Sequence, residues 1–145
     1  DNETNCTTYG GLYQWNEAMQ YVTTEGVQGI CPAGWHVPTD DEFTEISNFL
    51  GGASVSGGAM KETGFIHWSA PNGGATNSSG FTCLGSGRRH VSGSFDNLTL
   101  RVGLWSSTQT SSVDAYEILI SYTSGSFNPT NYDKPTGFSI RCLHD

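Results

Sequence analysis

The chain has 145 residues, of which 12% are aromatic and 14% charged, long enough for one core and too aromatic for a disordered segment. Fourteen acidic residues against six Lys and Arg give a net charge of −8. Nucleic acid is thereby excluded as a partner, because its binders displace counterions with a cationic surface, and no apolar run approaches the ~20 residues that membrane insertion by a helix needs.

Tyr9 to Thr23 places Leu12, Trp15, Met19 and Val22 in steps of three, four and three, the spacing of one face of an amphipathic helix. Gly26 and Gly29 break it. A second helix is expected from Thr39, where T-D-D-E forms a capping box through Thr39 and Glu42. Phe43, Ile46, Phe49 and Leu50 form its expected buried stripe, and Gly51-Gly52 ends it. Beyond Gly51 the segments GFTCLGSG, VGLWSST, AYEILISYT and TGFSIRC are short, aromatic and β-branched, separated by Gly, Asn and Ser. Two helices followed by a run of strands make an α+β fold. With no repeat and no linker, residues 1–145 are expected to be one domain. In the clearest alternation, Tyr116, Ile118, Ile120 and Tyr122 face the core, and Glu117, Leu119, Ser121 and Thr123 face solvent.

Cys6, Cys31, Cys83 and Cys142 form no CxxC pair, so disulfides in an oxidising compartment are expected rather than zinc or redox chemistry. The chain opens on Asp1 without a signal peptide, as a mature or trimmed secreted fragment would. His36, His67, His90 and His144 lie in separate segments, with no HExxH and no GxSxG. The cap accounts for Asp40, Asp41 and Glu42. Asp96-Asn97 and Asn72 offer oxygens to calcium, but such residues more often make plain turns; no cofactor is expected and no metal is assigned. Trp35, Trp68 and Trp105 could stack on sugar rings, although core packing is the commoner use of Trp. No catalysis is expected.

YGGLYQWNEAM (9–19), CPAGWHVPTDDEF (31–43), MKETGFIHW (60–68), PNGGATNSSGF (71–81), LWSST (104–108) and GFSIRC (137–142) follow one another along nearly the whole chain. In that order they resemble the Fibrobacter succinogenes major paralogous domain. The resemblance implies a C-type lectin-like fold, with two helices flanking a small twisted antiparallel sheet and long loops on one side. It also implies a secreted or surface-displayed bacterial protein whose role is ligand binding, and a segment upstream of Asp1. Arg89 matches the family arginine, whereas Arg88 stands where an aromatic is common. The motifs CPAGW and GFSIRC imply a Cys31–Cys142 disulfide; Cys6 and Cys83 could pair, or Cys6 could pair upstream. Cys83 invites comparison with formylglycine-generating enzymes, which share a related fold, but it has no evident partner.

Some proteins of this lectin-like group are targets of diversity-generating retroelements, which vary outward-facing positions on a fixed scaffold. Tyr116–Thr136 resembles such a region in layout. The ligand-binding residues so implied are Glu117, Leu119, Ser121, Thr123, Asn128, Asn131, Tyr132 and Asp133, with Leu119 and Tyr132 as anchors. The expected partner is a protein or glycan on another cell surface. Two other readings are a carbohydrate-binding module of a polysaccharide-degrading enzyme and a filament subunit whose edges pair with other chains.

Overall fold

The computed structural model describes residues 2–145. It opens on a helix that the sequence pattern did not suggest, α1 (Glu3–Tyr9), held by Asn2, whose Oδ1 accepts from the Thr4 and Asn5 amides. Its residues ETNCTTY carry no apolar stripe, and none is buried. The helix expected over Tyr9–Thr23 shrinks to α2 (Trp15–Ala18). Gly10, at φ 82°, ends α1. Tyr13 is then taken up in a bridge with Phe138, and Gln20 and Tyr21 adopt positive φ. Trp15 and Met19 are fully buried as the spacing predicts, but Val22 is exposed.

A two-residue strand, β1 (Trp35–His36), follows, and then α3 (Asp40–Phe49) with the expected capping box. Phe43 is buried and Ile46 and Leu50 pack against the core. Phe49 is 87% exposed instead of buried. It falls off the line through 43, 46, 47 and 50, on which Ser47 is buried and bonds Ser56 Oγ at 2.8 Å. Helix α4 (Ser56–Met60) is buried throughout. Its Gly57 and Gly58 lie against the backbone of Ser126 and Gly74, where a Cβ has no room.

A small hairpin pairs β2 (Arg88–Arg89) with β3 (Phe95–Asp96). The main sheet is antiparallel, in the order β4 (Arg101–Gln109), β5 (Asp114–Ser121), β6 (Phe127–Asp133). β6 occupies what the sequence pattern suggested was a loop. The last strand, β7 (Leu143–His144), pairs with β1 beside the Cys31–Cys142 disulfide, which is formed as expected. Two expected strands are absent as such. Cys83 makes a single bridge to Lys61, and residues 137–139 make separate bridges to Arg89, Tyr13 and Leu104.

Each face of the main sheet carries its own core. Val102, Leu104, Ile118, Ile120 and Phe127 pack with Phe43, Met60 and Trp68. Strand alternation sends Trp105 and Ala115 to the opposite face, where they pack with Trp15, Met19, Val37 and Phe138. The architecture is α+β with small antiparallel sheets. Trp68 and Trp105 are core residues as expected; Trp35 is 39% exposed, its ring edge-on to His144.

Candidate ligand-binding face

The eight expected binding residues do not form one surface. Register pairs Leu119 with Asn128, Glu117 with Thr130 and Ala115 with Tyr132, so these six share a face. Asn131, opposite Tyr116, and Asp133, opposite Asp114, belong to the other face. Asp133 also accepts a hydrogen bond from Thr136 Oγ1.

Glu117 overturns the outward assignment most clearly: it is 0% exposed. The strand alternation is right, but the chain returns over this face at residues 137–139. There the Phe138 ring and the Glu117 carboxylate both lie over Gly103, which has no side chain to displace them. Arg101 Nη2 donates to Glu117 Oε1, as does Thr130 Oγ1 at 3.3 Å. Glu117 Oε2 makes no hydrogen bond among the described residues. Burial pushes the Glu117 carboxyl up to about 7, against the opposing pull of Arg101. Tyr132, expected as an exposed anchor, is half-buried, with its ring edge-on to Phe138 at 5.1 Å and the Arg88 guanidinium 5.4 Å from its centroid.

The far end of this face remains open. Leu119 and Ser121 are partly exposed, and Thr123 and Asn128 are exposed. Asn128 Nδ2 reaches the Leu119 carbonyl, and the Ser121 and Thr123 hydroxyls lie 3.0 Å apart. Behind them the loops are fixed. The buried Lys61 ammonium donates to the carbonyls of Gly73, Ser121 and Ser124 at 2.8, 2.9 and 2.9 Å, and lies 5.2 Å from the Trp68 ring centroid. Lys134 similarly donates to Gln109 Oε1 and the carbonyls of Ser111 and Ser112. All three ammonium donors of each lysine are thereby used. Neither lysine is recognisable as a site residue from the sequence, because nothing in the spacing distinguishes a buried lysine from an exposed one.

The remaining polar groups stand apart. His36 bridges Asp145 and Glu42, His67 pairs with Glu62, and His90 meets Ser92. The Cys83 thiol is buried and pushed up to about 12, far from a thiolate nucleophile at neutral pH. Trp68 Nε1 donates to the Cys83 carbonyl instead. Asn72 and Asn97 occupy positive-φ positions, and Asp96 is held by Arg88 at 2.8 Å. Among the described residues no group of three or more His, Cys, Asp or Glu is placed to hold a metal ion.

The Fibrobacter succinogenes major domain model matches residues 1–144. The chain belongs to that family. No curated protein and no solved structure matches it. For this Fibrobacter succinogenes major domain the disulfide is compatible with a secreted protein, and no helix among the described residues is long and apolar enough to cross a membrane.

Proposed function

We propose that this domain is a non-catalytic ligand-binding module of C-type lectin-like fold, secreted or displayed on a bacterial surface, that recognises a protein or glycan on another cell. The recognition surface is the open end of the main sheet: Leu119, Ser121, Thr123 and Asn128. The observation that carries this reading is the contrast between that exposed polar rim, with one apolar side chain, and the locked structure beneath it. Rigid elements that present small adaptable side chains suit recognition. The buried Glu117 and the half-buried Tyr132 then act as the base of the site and not as contacts.

The edge strand β6 speaks against the filament reading. The Phe127 amide bonds outward to the Ala53 carbonyl, so alternate residues 129 and 131 also turn their backbone groups away from β5. Residue 129 is proline, which offers no donor there, a common way to blunt an edge. A glycan array and a panel of immobilised bacterial surface proteins, probed with the wild type and with Leu119→Ser/Asn128→Ala, test the proposal. Binding to either panel that the double variant loses without a change in melting temperature supports it. Binding that survives the double variant places the site elsewhere.

A further inference from the structure

A second concave site lies on another part of the molecule, between α1 and the β2–β3 hairpin, with a volume of about 520 Å³. This is within the range of small-molecule sites. Tyr9, Leu12, Phe95 and Leu98 provide apolar wall, and Arg88 and Arg89 are also part of the lining. Since α1 buries none of its own side chains, it roofs this wall without filling it.

The cations of the chain can be followed one by one. Lys61 and Lys134 are spent on carbonyl and amide oxygens, Arg101 on Glu117, and Arg88 on Asp96, the one carboxylate in the lining besides any ligand. Arg141 is exposed and stacked on Phe81. Arg89 is left: half-buried, with no carboxylate within ion-pair distance and no side-chain hydrogen bond among the described residues. Its backbone bonds Gly137, its Cβ packs on the same glycine, and its guanidinium lies beside Gly93 in the hairpin turn. In the hairpin register Arg89 is paired with Phe95, so a guanidinium and an aromatic ring leave the ribbon on the same side. Unpaired guanidinium donors beside apolar wall match an anion carried on a flat apolar body.

Polyhydroxylated ligands fit less well. Of the side-chain acceptors in the lining, the Ser86 hydroxyl is already bonded to Ser139, Asn2 Oδ1 caps α1 and Asp96 accepts from Arg88 and Asn97, leaving Asn5 Oδ1 and the Tyr9 hydroxyl. Sugar hydroxyls buried there would meet donors but few acceptors for their own protons.

We propose that this cavity binds a small aromatic carboxylate, with its ring against Phe95 and Leu98 and its carboxylate on Arg89. The site is separate from the Leu119–Asn128 rim, so either can fail alone. The test is a backbone-amide NMR titration of the intact domain with 3-phenylpropionate, its neutral analogue 3-phenylpropanamide, and glucuronate. The expected result is a saturable shift of the Tyr9, Leu12 and Leu98 amides by phenylpropionate, with the amide at least about tenfold weaker, as befits one lost charge-assisted contact. Arg89→Gln should lose a similar factor, and Phe95→Ala should weaken acid and amide alike. Both replace side chains that leave the core intact, and unchanged spectra elsewhere would verify folding. Equal affinity for acid and amide, an unaffected Arg89→Gln, tighter binding of glucuronate, or no saturable shift at roughly millimolar probe would each overturn the proposal.

Discussion

Replacing Lys61 with Met keeps most of the side-chain volume and removes the ammonium that ties three loop carbonyls together. Those of Gly73, Ser121 and Ser124 lose donors at 2.8–2.9 Å, and a buried polar group left unpaired costs about 1–3 kcal/mol. Loss of the contact with the Trp68 ring adds to this. In the other direction, burial disfavours the charged lysine, holding it down to about 8, and the thioether escapes that penalty. The balance is a net loss of roughly 2–4 kcal/mol. Urea unfolding followed by Trp fluorescence measures it, and amide exchange should quicken at 121–126 before the rest of the sheet. A loss below about 1 kcal/mol with unchanged exchange would refute the idea that this ammonium holds the loops behind the rim.

Three further outcomes follow from the same structure. Cys31→Ser/Cys142→Ser opens a loop of 111 residues, and should lower stability by about 4–5 kcal/mol in thermal or urea melts; reducing agent should reproduce it in the wild type. Gly103→Ala places a methyl group into the Glu117 carboxylate and the Phe138 ring, so it should destabilise by roughly 1–3 kcal/mol, where an uncrowded strand glycine would gain from alanine; a gain in melting temperature would show that the face is loosely covered. His36 is raised above its ordinary 6.5, chiefly by its hydrogen bond to Asp145 against the opposing effect of burial, so its stabilisation is complete below that value and disappears as pH rises through the folded one. Glu117, raised by burial, also makes the fold less stable with rising pH, between 4.5 and about 7, so the His36 share is the difference between wild-type and His36→Gln melts from pH 6 to 8; superimposable profiles would dismiss it.

What the sequence disclosed depended on how local the cause was. The α3 cap needs only Thr39 and Glu42, three residues apart, and it is present in full. The Ile118/Ile120 face follows from strand period alone, and it is core. The opposite face could not be assigned that way. Whether Glu117 meets water depends on Phe138, which lies 21 residues further along the chain, beyond β6. One signal was available: Gly103 inside VGLW, since a glycine in a strand interior often marks a close approach. Tyr9–Thr23 has helical spacing, yet the pairing of Tyr13 with Phe138 and the positive φ of Gln20 and Tyr21 override it. The cavity beneath α1 had no sequence signature, because its walls come from three separate stretches of chain.

A recognition surface at the open end of the main sheet requires that end to be free to vary while the residues behind it are not. Two display libraries measure this, one randomised at Leu119, Ser121, Thr123 and Asn128, the other at Ile118, Ile120 and Phe127, both sorted for resistance to protease. Surface changes usually stay within about 0.5 kcal/mol, and truncation of buried Ile or Phe costs about 2–5. Most members of the first library should therefore remain resistant while the second collapses to a few apolar sequences. Equal loss of resistance in both libraries would contradict the account.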